Sequence, residues 1–112
     1  MPNVYLPAVP MRTDPDSGLR VPALDVSSAA QYGDMVTLLR VDRPIRPAEM
    51  GSAILALRKQ LAEIAVDDFV VCVGDPVLIA ATVSFAVNRH GVAQLLRWDR
   101  RLKHYERVEV FL

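Results

Sequence analysis

Hydrophobic residues change their spacing several times along this chain, and each spacing predicts an element. Phe69-Val70-Val71-Cys72-Val73 is an unbroken apolar run, entered through Asp67-Asp68 and left through Gly74-Asp75-Pro76. A run with no polar alternation predicts a strand covered on both faces, the centre of a layered α/β domain. Upstream the period is helical. Met50, Ile54, Leu57, Leu61 and Ile64 recur at steps of four and three, and Ser52, Arg58, Lys59, Gln60 and Glu63 take the other side, which predicts an amphipathic helix. Arg46-Pro47 opens it, with proline at the first helical position and Glu49 where the helix dipole favours an acid.

A second helix follows the central strand. Asp75-Pro76 supplies a capping acid and a first-turn proline, and Asn88-Arg89-His90-Gly91 ends the segment with a glycine suited to a left-handed cap. Leu78, Ile79, Val83, Phe85 and Val87 do not keep to one narrow stripe. One side of this helix is expected on the sheet, and the other is expected to need a cover, from the amino-terminal residues or from a second copy. Met35–Val41, Val92–Trp98 and Tyr105–Leu112 read as further strands. The polar link Asp99–His104 joins the last two as an antiparallel hairpin. Arg107, Glu109 and Phe111 alternate with Val108, Val110 and Leu112, a pattern that suits an edge strand.

Five of the eight prolines lie in the first 22 residues, which favours extended or irregular chain there. Residues 1–33 are therefore expected as a proline-rich arm, packed on the domain or a partner or else disordered, with a short helix over Ser27–Tyr32. Residues 34–112 are expected as a single α/β domain. The order β-α-β-α-β-β predicts a small sandwich with three parallel strands, right-handed crossovers and a carboxy-terminal antiparallel edge hairpin. A central strand covered on both faces puts the two helices on opposite faces. The alternative has two layers, with the arm or a partner covering the second face.

Composition narrows the function classes. Thirteen basic and thirteen acidic residues cancel over 112 residues, which removes the charge argument for a dedicated nucleic-acid or anionic-membrane binder. The lone Cys72 predicts no internal disulfide and a reducing cytoplasm, with the thiol in the core. The amino terminus lacks a secretory pattern, and the longest apolar run, Val77–Val87, has eleven residues, well short of a membrane span.

Two constellations could carry chemistry. Asp42, Asp75 and Asp99 each follow an expected parallel strand, so all three would lie along the carboxyl edge, where open α/β sheets bind ligands. Together they suggest a site for a hard cation such as magnesium and a metal-dependent phosphohydrolase, with Arg43 or Arg100 steadying an anion. Capping and turn formation account for the same acids without a metal. The second constellation is the hairpin, where Arg97, Trp98, Arg100, Arg101, Lys103, Tyr105 and Arg107 interleave basic and aromatic side chains. Such a surface suits a protein partner, because Trp, Tyr and Arg dominate interface hot spots. Nucleic acid is the alternative partner. No phosphate-binding glycine loop and no serine-hydrolase elbow occurs in the sequence, so no catalytic residue and no cofactor is assigned.

The segment Asp67–Pro76, the small-residue helix after it, Leu95-Leu96-Arg97-Trp98-Asp99-Arg100 and Tyr105–Val110 resemble small uncharacterised accessory proteins of T7-like tailed phages. The resemblance spans residues 67–112. It implies a phage accessory factor acting in the cytoplasm of an infected bacterium, with no active site to carry over. The overall expectation is a non-enzymatic interaction protein that binds a host protein and associates with itself through the second helix or an exposed sheet edge.

Overall fold

In the computed structural model, which describes residues 1–111, the strands and helices follow in the order β1 (Asn3–Leu6), β2 (Val9–Thr13), β3 (Arg20–Pro22), a 3-10 helix (Ser27–Tyr32), β4 (Asp34–Thr37), β5 (Arg40–Val41), α1 (Pro47–Gln60), β6 (Phe69–Val71), α2 (Pro76–His90), β7 (Val92–Asp99) and β8 (His104–Phe111). Five strands form the main sheet in the order β4-β1-β6-β7-β8, and β3-β2-β5 form a smaller one. Neighbours from β4 to β7 are parallel, and β8 returns antiparallel to β7 at the edge. The expected mixed α/β architecture and its carboxy-terminal hairpin are thus present. The expected strand end at Leu112 lies outside the described residues.

The amino terminus departs from expectation. Residues expected as an irregular arm supply β1, which pairs with β4 on one side and β6 on the other; Val4 faces both Met35 and Phe69. Pro2 and Pro7 lie just outside this strand, so its backbone donors survive and the prolines bound it instead of breaking it. Val4 and Leu6 are wholly buried, each burial stabilising the fold by roughly 1.5–3 kcal/mol. The carboxylate of the buried Asp68 holds the strand in place. It accepts the Asn3 N–H at 2.8 Å through one oxygen and the Ala65 N–H at 2.8 Å through the other. The expected strand Met35–Val41 divides into β4 and β5, which belong to different sheets.

Both helices cover the same face, not opposite ones. Leu57 and Leu61 of the α1 region and Leu78, Ala86 and Val87 of α2 share one apolar cluster with Tyr5, Val70 and Ala93 of the sheet. Strand order explains this. The crossovers from β4 to β6 and from β6 to β7 travel in the same direction along the sheet, and two right-handed crossovers in one direction place their helices on one side. The connection from β1 to β4 travels the other way. It covers the second face, where Val9, Ala29, Met11, Val26 and Tyr32 pack on Val4, Leu6, Phe69, Val71 and Leu96.

Local chemistry sets the helix ends as the sequence predicts. Glu49 accepts the Arg46 N–H at 3.1 Å and pairs with Arg43 at the start of α1. Asp75 accepts the Val77 N–H at 2.8 Å to cap α2, which ends at Gly91 with φ 76°. The apolar side chains of α2 that were expected to need a cover are largely satisfied within the chain. Val83 and Phe85 pack against the shared cluster and Ile79 is half-buried, while Val77 stays about half exposed.

Candidate functional site

The carboxyl ends of β6 and β7 open onto a hollow of about 590 Å³, within the range of small-ligand and peptide-anchor pockets. Cys72, Val73 and Gly74 form its floor as β6 gives way to the turn before α2. The hairpin supplies one wall through Arg97, Trp98, Arg100 and Tyr105, and the loop Leu24-Asp25-Val26 supplies the other. At the floor Gly74 has φ 96°, and a Cβ there would overlap the Ala8 carbonyl oxygen. Only glycine lets the chain leaving β6 approach the chain leaving β1 this closely.

Four of the seven hairpin candidates therefore meet at one recess. Trp98 packs edge-on against Tyr105, with ring centroids 5.1 Å apart, yet stays 41% exposed. Tyr105 is buried, and its carbonyl accepts the Tyr32 hydroxyl at 3.0 Å, tying the hairpin to the 3-10 helix. Arg97 is committed to Glu106 across the hairpin, with Nε 2.7 Å from the carboxylate. Arg107 lies elsewhere, its guanidinium 5.4 Å above the Phe69 ring. Arg100, Arg101 and Lys103 lie in the exposed turn and make no ion pair among the described residues.

Charge within the hollow is mixed, with the two arginines facing one acid. The Ser27 hydroxyl and backbone N–H hold the Asp25 carboxyl below its ordinary value, so it stays ionised. Burial raises the Tyr105 phenol, with the Asp25 carboxylate adding to the effect. Burial also pushes the Cys72 thiol up, against an opposing pull from Arg97. The thiol was expected in the core; it is only partly buried, because β6 ends one residue earlier and turns it toward the recess.

The three acids expected along the carboxyl edge do not gather. Asp42 pairs with Arg20, and Asp75 caps α2. Asp99 closes the hairpin turn by accepting the Arg101 and Leu102 N–H groups, which hold its carboxyl below the ordinary value. Asp42 and Asp75 do line a shared, smaller hollow of about 410 Å³ with Arg43, but Asp99 does not. No group of three His, Cys, Asp or Glu side chains is placed to hold a metal ion among the described residues. Sequence reasoning missed the wall formed by Leu24-Asp25-Val26, which carries no motif and reaches the hairpin only through the packing of the 3-10 helix.

Fold and hollow together define a small mixed α/β protein with a recess at the carboxyl edge of its main sheet. The chain belongs to the phage Pam3 gp32-like protein family, whose model matches residues 2–112. The resemblance of residues 67–112 to small phage proteins is thereby borne out and extended through the amino-terminal half. No curated protein and no solved structure matches the chain. No helix among the described residues is long and apolar enough to cross a membrane.

Proposed function

We propose that this phage-family protein is a non-enzymatic interaction protein that docks a protein of the host bacterium, in the host cytoplasm, through the recess between the hairpin and the Leu24–Val26 loop. The observation that carries this reading is Trp98, a large aromatic left 41% exposed at the rim of a hollow. Arg100 stands beside it without an ion-pair partner among the described residues. An exposed Trp and a free Arg around a concave apolar floor have the composition of an interface hot spot. Nucleic-acid binding receives less support: Arg97 and Arg107 are engaged within the chain, Asp25 and Glu106 stand close by, and the net charge is zero.

The test is affinity capture from bacterial lysate with the full chain and with the Trp98→Ala, Arg100→Ala double variant. A captured host protein lost with the double variant and retained after nuclease treatment supports the reading. Equal capture by both forms removes the recess from consideration. Capture abolished by nuclease, with affinity falling as salt rises, would assign the surface to nucleic acid instead.

A further inference from the structure

We infer that β8 is a self-pairing edge, and that two copies of this chain join their main sheets by antiparallel β8–β8 pairing about a two-fold axis at Val108. This inference stands independently of the recess. β8 is the last strand of the sheet, pairs with β7 alone, and runs without a bulge in continuous register from Val92↔Phe111 to Asp99↔His104. It contains no proline, and its solvent-side backbone groups have no strand partner among the described residues; the Tyr105 carbonyl accepts the Tyr32 hydroxyl at 3.0 Å and keeps its second lone pair for a facing N–H. Such an edge is a template for another strand. The occupant is decided by the side chains along it.

Facing residues in an antiparallel pair must both point their N–H and C=O groups toward each other, or both away. These orientations alternate along a strand. A strand pairing with its own copy is therefore restricted to registers centred on a residue. Centring on Glu106, Arg107 or Glu109 sets a like charge against itself, which is destabilising. Centring on Tyr105 or Val110 leaves only residues 104–106 or 109–111 overlapped within the strand. Val108 is the remaining centre, and it aligns residues 105–111 of both copies.

That register is self-complementary. Arg107 of each copy faces Glu109 of the other, so the opposite charges meet twice. Val108 faces Val108, and Phe111 faces Tyr105. Phe111 is 68% exposed in the single chain, and the pairing would give it an aromatic neighbour next to the Trp98–Tyr105 stack. Arg107 and Glu109 are both exposed and lie on the same face of β8; within the chain Arg107 lies over the Phe69 ring and Glu109 accepts the Gln94 amide at 2.8 Å through one oxygen, so the guanidinium donors and the second carboxylate oxygen are what reach across. The symmetry is that of an isologous dimer, the commonest closed assembly.

Sedimentation equilibrium of the full chain is expected to give twice the 12.4 kDa chain mass. Arg107→Glu and Glu109→Arg, each alone, place like charges opposite one another at both symmetric positions and are expected to raise Kd roughly tenfold or more. The double variant restores opposite charges and is expected to return toward the original affinity. A second readout does not depend on these charges. In a Cys72→Ser background, Val108→Cys should form a disulfide-linked dimer on mild oxidation, because residue 108 faces itself at a bridgeable separation. Glu106→Cys, which faces residue 110, should not. A monomer at high concentration, a double variant no tighter than the singles, or equal crosslinking at 106 and 108 would overturn the inference.

Discussion

Replacing Gly74 by alanine tests the junction between the amino-terminal strand and the recess. Gly74 holds φ at 96°, and the new Cβ would overlap the Ala8 carbonyl oxygen and lie 3.0 Å from the Ala8 side chain. The backbone conformation costs an alanine roughly 1–3 kcal/mol. Forcing a methyl against packed backbone adds about 1–3 kcal/mol, because Ala8 is fully buried and cannot move aside without displacing β1. A net loss of about 2–6 kcal/mol is a large share of the ~5–15 kcal/mol that stabilises a typical domain. At roughly 4 °C per kcal/mol for a domain of this size, thermal unfolding followed by circular dichroism should show Tm at least about 8 °C lower. Gly51→Ala is the matched control. Gly51 lies on the exposed side of α1, and a Cβ added there would meet nothing within 4 Å, so helix propensity alone should stabilise by about 1 kcal/mol. The same chemical change is thus expected to act with opposite sign at the two sites. If Gly74→Ala shifted Tm by no more than about 2 °C, close apposition of Ala8 and Gly74 would be refuted, and with it the placement of β1 beside β6.

Two further outcomes follow from other contacts. Asp68→Ala leaves the Asn3 and Ala65 N–H groups without their acceptor, and urea unfolding should show a loss of about 2–4 kcal/mol; a loss below about 0.5 kcal/mol would show that the carboxylate does not anchor β1. The Glu49 carboxyl is held at about 2, down from 4.5, chiefly by its hydrogen bond to Arg43 and then by the Arg46 N–H. A depressed acid contributes stability above its unfolded value and loses it as pH falls through the folded one. The first turn of α1 should therefore loosen between pH 4.5 and about 2. In an Arg43→Gln variant, the Glu49 midpoint measured by NMR should rise toward 4.5, and an unchanged midpoint would show that the ion pair does not form in solution.

Elements whose signals are local could be read directly from the chain. Asp75-Pro76 and Gly91 marked the ends of α2, Pro47 and Glu49 marked the start of α1, and the apolar stripe from Met50 to Ile64 identified the face that α1 buries. The hairpin was legible for the same reason, since its turn and both strands are contiguous. Each of these features depends on residues only a few positions apart, so composition and spacing suffice. The remaining features depend on long-range packing. Asn3–Leu6 is too short, and too closely framed by prolines, to announce a strand, and its place between β4 and β6 depends on partners far away in sequence. The strand order, with β4 and β7 on opposite sides of β6, sends both helical crossovers the same way and brings α1 and α2 to one face. The hairpin residues were legible as a surface, but the recess was not. Its opposite wall is the Leu24–Val26 loop, and no local pattern in those residues encodes the tertiary contacts that bring it there.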